Sequence, residues 1–239
     1  AAGTEMVLAI QFRLRQLLDE QERGQELLTM HLISKSPRVL PSHPIGVSRC
    51  FDKILKSRDI KVFRNTSATR VTDNSLLLSD GQILEIDEIL WVTGASAPSW
   101  LRDSGLDVDE RGFINVLDTL QTTADENIFA AGDIANVLKY PRAKSGVFAV
   151  RQGKPLAKNL RRALVGEPLR AYKPQTSTLA LISSGDKYAI ASKAGLVTQG
   201  SWVWAWKDWI DRRFMEKYNN LPKMVEPLEP PLRRGLAAP

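Results

Sequence analysis

Seven consecutive residues, Asn127-Ile128-Phe129-Ala130-Ala131-Gly132-Asp133, constrain this chain more than any other stretch. An apolar run of strand length ends in small residues and a carboxylate. Open α/β sheets bind ligands at the carboxyl ends of their strands, and small residues there let a ligand approach the backbone. The Asp133 carboxylate can accept hydrogen bonds from sugar or sugar-alcohol hydroxyls. It can also serve as the N-cap of a following turn. What surrounds the run decides between these two uses.

The surroundings predict alternating helices and strands. An amphipathic helix begins with the chain and runs to about Asp19, with Met6, Ile10, Leu14 and Leu17 on one face. Leu27–Ile33 is a mostly apolar run typical of a buried parallel strand. Pro37, Pro41 and Pro44 break it, a helix fits Val47 to about Lys56, and Ile60–Phe63 is a short strand. Three short strands follow, with Asp73-Asn74 and Asp80-Gly81 as turns, forming an antiparallel meander. Glu88–Val92 is expected as another buried strand, ended by Thr93-Gly94.

A short β pair is expected around Phe113–Val116, before the Asn127–Ala131 strand. A helix follows from Ser145 to Val165, kinked at Pro155. Thr178–Ser183, Lys187–Ser192 and Gly195–Thr198 are expected as strands, with a turn at Gly185-Asp186. Trp202 to about Tyr218 is a helix, and 222–239 a Pro-rich, loosely ordered tail.

Four short segments carry the candidate chemistry. Gly3 precedes the first helix, where the last glycine of a G-x-G-x-x-G turn would allow close packing of helix on strand. Ser34 and Lys35 follow the second segment, with Arg38 nearby. An acidic residue at that place favours a ribose hydroxyl, and these residues suit a phosphate instead. A solvated loop with ordinary basic residues explains them equally well. Gly94 ends the third segment, where its missing side chain lets a ligand or backbone approach. Gly132 and Asp133 lead into the fourth, Lys144-Ser145-Gly146, where Ser145 can cap a helix whose N-terminus carries partial positive charge.

In this order and spacing the segments resemble the two-dinucleotide-fold flavoproteins of the pyridine nucleotide-disulfide oxidoreductase superfamily. The resemblance implies an α/β, Rossmann-like FAD/NAD(P)-binding fold, incomplete at its N-terminus, with a small β-plus-helix C-terminal domain. It implies an NAD(P)H-binding domain over 1–94 lacking its first strand, a returning part of the FAD-binding domain over 95–165, and the C-terminal domain over 166–221. Gly3 and Glu5 match the last motif glycine and the Glu two positions on. Gly132 and Asp133 resemble the flavin ribityl contact. Ser145 and Gly146 open the helix directed at the isoalloxazine, with Lys144 adding charge that tunes the flavin. The implied cofactors are FAD and NAD(P)H, the latter contacted at Ser34 and Lys35.

Within the superfamily the chain is similar to type II NADH dehydrogenases. Pro141–Gly153 and Trp206–Met215 make it more similar to reductase modules associated with selenide, water dikinase. The implied activity is hydride transfer from NAD(P)H to FAD, with electrons passing to a quinone or to a selenium or sulfur species. This chain alone is expected to be inactive, since the flavin pyrophosphate turn is not in it. A non-catalytic remnant that binds or regulates a partner is the alternative. No side chain is assigned as acid, base or nucleophile.

Other features narrow the partners. The single cysteine, Cys50, excludes an intrachain disulfide and a CxxC pair, and His31 and His43 lack metal-ligand spacing. The net charge of +6 favours anions without selecting among them, and the resemblance gives no nucleic-acid partner. No apolar run approaches the ~20 residues of a membrane-spanning helix. The expected location is the cytoplasm or the cytoplasmic face of a membrane. Trp202, Trp206 and Trp209 share a helix face suited to a membrane interface. The same face packed on the preceding strands is the reading that buried aromatics favour.

Overall fold

Alternation along one short strand organises the larger of two cores. In the computed structural model, which describes residues 1–221, the chain runs α1 (Ala2–Glu20), β1 (His31–Ile33), α2 (Ile45–Ser57), β2 (Lys61–Phe63), β3 (Ala68–Val71), β4 (Ser75–Leu78) and β5 (Ile83–Glu85). It continues through α3 (Trp100–Asp103), β6 (Ile114–Val116), β7 (Ala135–Val137), α4 (Gly146–Leu164), β8 (Ala180–Ser183), β9 (Ala189–Lys193), β10 (Leu196–Gly200) and α5 (Ser201–Asn219). The expected tail, 222–239, lies outside the described residues.

In β9 successive side chains point to opposite faces. Ile190 joins Val7 and Leu8 of α1, Val47, Phe51 and Leu55 of α2, and Ile182 of β8. Ala189 and Ala191 face the other way and meet Val203 of α5, their small size leaving room for the helix. Helices α1 and α2 touch the parallel pair β1–β2 and also β8 and β9, so they form a layer between two sheets. Each fully buried Leu or Phe here contributes roughly 1.5–3 kcal/mol of transfer free energy. The strands of the last block therefore share their core with the first block.

Two contacts fix that assembly. Gly185, at the β8–β9 turn, has φ +86°, and a Cβ there would lie 2.7 Å from the Ala9 Cα. Only glycine permits the hairpin to press on α1 this closely. Arg58, just after α2, donates to the Ser184 carbonyl at 2.9 Å and pairs with Asp186. Its own carbonyl accepts from Gln11 at 2.8 Å and Arg15 at 3.2 Å.

The meander forms as expected, β3–β4–β5, all antiparallel. The second core contains Leu101, Ile114, Val116, Leu120, Ala130, Ala135, Val137 and Tyr172. Its only ladder among the described residues is the parallel pair β6–β7.

Several expectations are corrected. The buried face of α1 is Thr4, Val7, Leu8 and Gln11, while Met6 is exposed, because the helix is covered by β8 as well as β1. The strand expected from Leu27 begins only at His31, since Gln25–Leu27 is a tight helical turn. Glu88–Val92 is neither buried nor laddered. It is extended, with Trp91 60% exposed, and no strand among the described residues lies beside it to take its hydrogen bonds. Asn127–Ala131 likewise forms no ladder, with Asn127 in a turn and a single bridge from Phe129 to Gln121, and the ladder strand is the next segment, β7. Pro155 lies inside α4, which is helical from Gly146 to Leu164.

The tryptophan helix forms, but its aromatic face does not pack on the sheet. Val203 and the partly buried Trp204 take that role. Trp202, Trp206 and Trp209 are 56%, 38% and 54% exposed. No described helix is long and apolar enough to cross a membrane.

Candidate functional site

Gly132 makes the turn on which the site depends. Its φ of +76° is a conformation that costs other residues about 1–2 kcal/mol. The turn Gly132–Ile134 interrupts the extended run and hands the chain to β7. It is held against α4 by Gln152, whose Oε1 accepts from the Gly132 N–H at 2.5 Å. A Cβ on Gly132 would meet the Ala149 methyl at 3.7 Å. Asp133 is thereby presented to solvent beside the first turns of α4. Gln152 is 6% exposed. Its spacing from Ala149, one helical turn, was the sequence signal that could have found it.

Ser145 occupies the N-cap position of α4, yet its side chain makes no capping hydrogen bond. Its carbonyl accepts from Phe148 and Ala149. The N–H groups of Gly146 and Val147 have no partner among the described residues, as the first turn of a helix requires. Open space surrounds the Gly146 Cα where a side chain would stand.

Lys144 points inward. Its Nζ donates to the Ala135 carbonyl at 2.6 Å and lies 4.1 Å from the centre of the Phe113 ring. Burial lowers its pKa. Asp109 opposes that shift, Arg111 adds to it, and Asp133 opposes it more weakly. The ammonium thus pins the start of α4 to β7. Gly132, Asp133 and Lys144 line one cavity with Tyr140, Phe148 and Tyr172. No sequence pattern pointed to Tyr172.

The other predicted residues stand elsewhere. Gly3 lies against Leu32 of β1 and Val92, at 3.7 and 3.9 Å from a Cβ position, so α1 does begin beside a strand end. The Glu5 carboxylate accepts from the Ser183 N–H at 2.8 Å, joining α1 to β8. Ser34 donates its N–H to Phe63, and its Oγ accepts from the Ser36 N–H at 3.2 Å. Lys35 is exposed at the end of β1. Arg38 is committed to its own loop, donating to the His43 and Pro41 carbonyls and to Ser48 Oγ. Gly94 lies in the exposed extended stretch, with nothing near its Cβ position.

These donors and acceptors suit part of each implied cofactor. An exposed carboxylate and two free N–H groups at a positive helix end fit the hydroxylated chain and carbonyl edge of FAD. For NAD(P)H the fit rests on Gly3 at the α1 start and on Lys35, because Glu5 and Arg38 are already engaged.

The chain is similar to several known proteins. A family described as pyridine nucleotide-disulphide oxidoreductase matches residues 7–153. A type II NADH:quinone oxidoreductase of Haemophilus influenzae is 32% identical over 153 residues, covering 61% of this chain and 34% of that protein. The NADH dehydrogenase-like protein YutJ of Bacillus subtilis is 24% identical over 174 residues, covering 73% and 48%. The solved sulfide:quinone oxidoreductase of Aquifex aeolicus superposes with TM-score 0.68 at 16% identity, over 89% of this chain and 54% of that one. That likeness shows the FAD/NAD(P)-binding oxidoreductase fold. This chain spans about a third to a half of the length of the two curated relatives.

Proposed function

Since this chain belongs to the pyridine nucleotide-disulphide oxidoreductase family, we propose that it serves an FAD-dependent NAD(P)H oxidoreductase. Hydride passes from NAD(P)H to FAD, and electrons pass on to an acceptor. FAD, when bound, supplies the hydride and electron chemistry, and the protein supplies placement and electrostatics. Asp133 accepts hydrogen bonds from the hydroxylated chain. The first N–H groups of α4 would hold the carbonyl edge, where the helix dipole would favour negative charge. Gln152 holds the turn that brings these groups together. Lys144 acts at one remove, by fixing the start of α4.

The observation that carries this reading is the Gly132–Gln152 hydrogen bond, which sets Asp133 at the mouth of α4. Purified full chain mixed with FAD is expected to be yellow and to bleach on addition of NAD(P)H. Asp133→Ala should lower flavin occupancy while leaving the far-UV circular dichroism unchanged. A chain that takes up no FAD would overturn the reading. It would favour a binding or regulatory module, the second reading.

The acceptor is a quinone in this proposal. The names of the Haemophilus influenzae and Aquifex aeolicus proteins support it. Steady-state rates with a soluble quinone against selenium and sulfur oxidants decide it, and a preference for selenium would favour the association with selenide, water dikinase. Lys35, exposed at the end of β1, supports NADPH being accepted at least as well as NADH. Far lower rates with NADPH would refute that. The exposed Trp202, Trp206 and Trp209, with Arg213 over the Trp209 ring, support peripheral contact with a membrane. Replacing the three tryptophans by alanine should abolish flotation with anionic liposomes, and unchanged flotation would remove the helix from that role.

A further inference from the structure

Tyr172 is a buried donor with nothing to donate to. It is 7% exposed, and its Oη has no hydrogen-bond partner. The residue is firmly held. Its N–H donates to the Asp118 carbonyl at 2.6 Å, and two residues earlier Asn159 clamps Arg170 through both backbone groups. Gln175, three residues later, also leaves a buried side-chain nitrogen without an acceptor, although it does not line the same cavity. Buried polar groups are nearly always satisfied, so each orphan marks an absent partner.

The space beside Tyr172 defines what that partner can be. The cavity between Gly132–Val137 and the first turns of α4 has a volume of ≈ 20 Å³. A water-sized group needs about 10–15 Å³ on the same measure, so one or two heavy atoms fit and a ring does not. Arg142 and Lys144 line it, and Asp133 is the one carboxylate that does. Arg151 and Arg142 also act on the Tyr172 hydroxyl through space. Farther out, Asp109 and Arg111 offset one another at Lys144. Three cations against one exposed carboxylate leave the cavity electropositive.

We propose that this cavity binds a small inorganic anion of one or two heavy atoms, such as a halide or hydrosulfide, with Tyr172 Oη as its hydrogen-bond donor. Burial raises the Tyr172 pKa above its ordinary value, which keeps the phenol protonated and able to donate. Arg142 supplies charge at the rim, and Gln152 and Phe148 close the sides. The cavity shares Gly132, Asp133 and Lys144 with the proposed flavin site, but anion binding is read without flavin or turnover, so its failure is distinguishable from failure of the proposed activity.

Bromide is the probe. Crystals of the full chain soaked in sodium bromide are expected to show an anomalous peak within hydrogen-bond reach of Tyr172 Oη. Tyr172→Phe should lose that peak. In solution, sodium bromide should raise the melting temperature above that in sodium gluconate of equal ionic strength, and the difference should vanish in Tyr172→Phe. A water without anomalous signal, bromide only at surface positions, or occupancy only at molar bromide would each overturn the proposal. Should Tyr172→Phe lose the fold, Arg142→Ala keeps the donor and should reduce bromide occupancy several-fold, and unchanged occupancy counts against the site.

Discussion

The core around Phe51 is covered on both sides by sheet, whereas the core around Val116 rests on two three-residue strands and helices α3 and α4. In the first, α1 and α2 lie between β1–β2 and β8–β10, and Arg58, Glu5 and Gly185 tie the far parts of the chain together. In the second, polar clamps replace ladders. Gln152 holds the Gly132 turn, and Asn159 holds the carbonyls of Thr119 and Arg170. Around it Trp100, Ile128 and Leu138 remain exposed. Regular structure is concentrated around the first core, and the proposed flavin site sits on the less regular half. Binding surfaces are commonly drawn from the less stable parts of a fold.

The sharpest way to break the contrast is Gly185→Ala. A methyl 2.7 Å from the Ala9 backbone cannot be relieved by a rotamer change, and φ +86° adds strain. The expected loss is about 3–4 kcal/mol, from overpacking plus left-handed backbone. Urea unfolding measures it, and a loss below about 1 kcal/mol would mean the hairpin does not press on α1.

Next comes Arg58→Ala, which removes the bond to Ser184 and the half-exposed pair with Asp186. About 2 kcal/mol is expected, discounted for the solvent at Asp186. A double-mutant cycle with Asp186→Asn separates the ion pair from the carbonyl bond.

For the second core, Asn159→Ala deletes three hydrogen bonds of a buried side chain and should cost about 1–3 kcal/mol. Its signature is local. Amide exchange should quicken over residues 117–120 and 168–172 and stay slow across β8 and β9. Uniform quickening would show that the two cores unfold as one.

The smallest effect is acid sensitivity of the first core. Burial lowers the pKa of His31, with Lys61 adding to it, and burial lowers that of His43, with Arg38 adding. The His31 Nε2 is buried without a partner. Both folded values lie below the unfolded 6.5. Stability from the neutral imidazoles is therefore full above pH 6.5 and is lost as pH falls through the folded values. The melting temperature should drop as pH falls below about 6.5, and His31→Gln should flatten the drop. An identical slope in the variant would exclude His31.

Helices and the antiparallel strands were legible because their signals are local. Turn pairs such as Asp80-Gly81 and Gly185-Asp186 set the hairpins, and spacing set α2 and α5. Glu88–Val92 failed for the opposite reason. Its apolar run is a strand signal, but a ladder needs a neighbour, and no described segment supplies one. At the site, the Gly132-Asp133 turn was legible from its residues. The destinations of Lys144, Glu5 and Arg38 were not, since a cation or carboxylate in a sequence does not say whether it meets a ligand or a distant backbone group. The tryptophan face was misjudged in favour of burial because the small alanines of β9 admit Val203 and leave the larger rings outside.

The bond from Glu5 to Ser183 joins residues 178 apart in sequence. During synthesis at 5–20 residues per second, α1 therefore waits roughly 10–35 s for the hairpin that covers it. Through that interval Val7 and Leu8 have α2 beside them but lack Ile182 and Ile190, and the nascent chain presents a partly covered helix to whatever attends the ribosome. The meander β3–β5, whose partners are near neighbours in sequence, can close long before. Of the described elements, the earliest in sequence is one of the last to be secured.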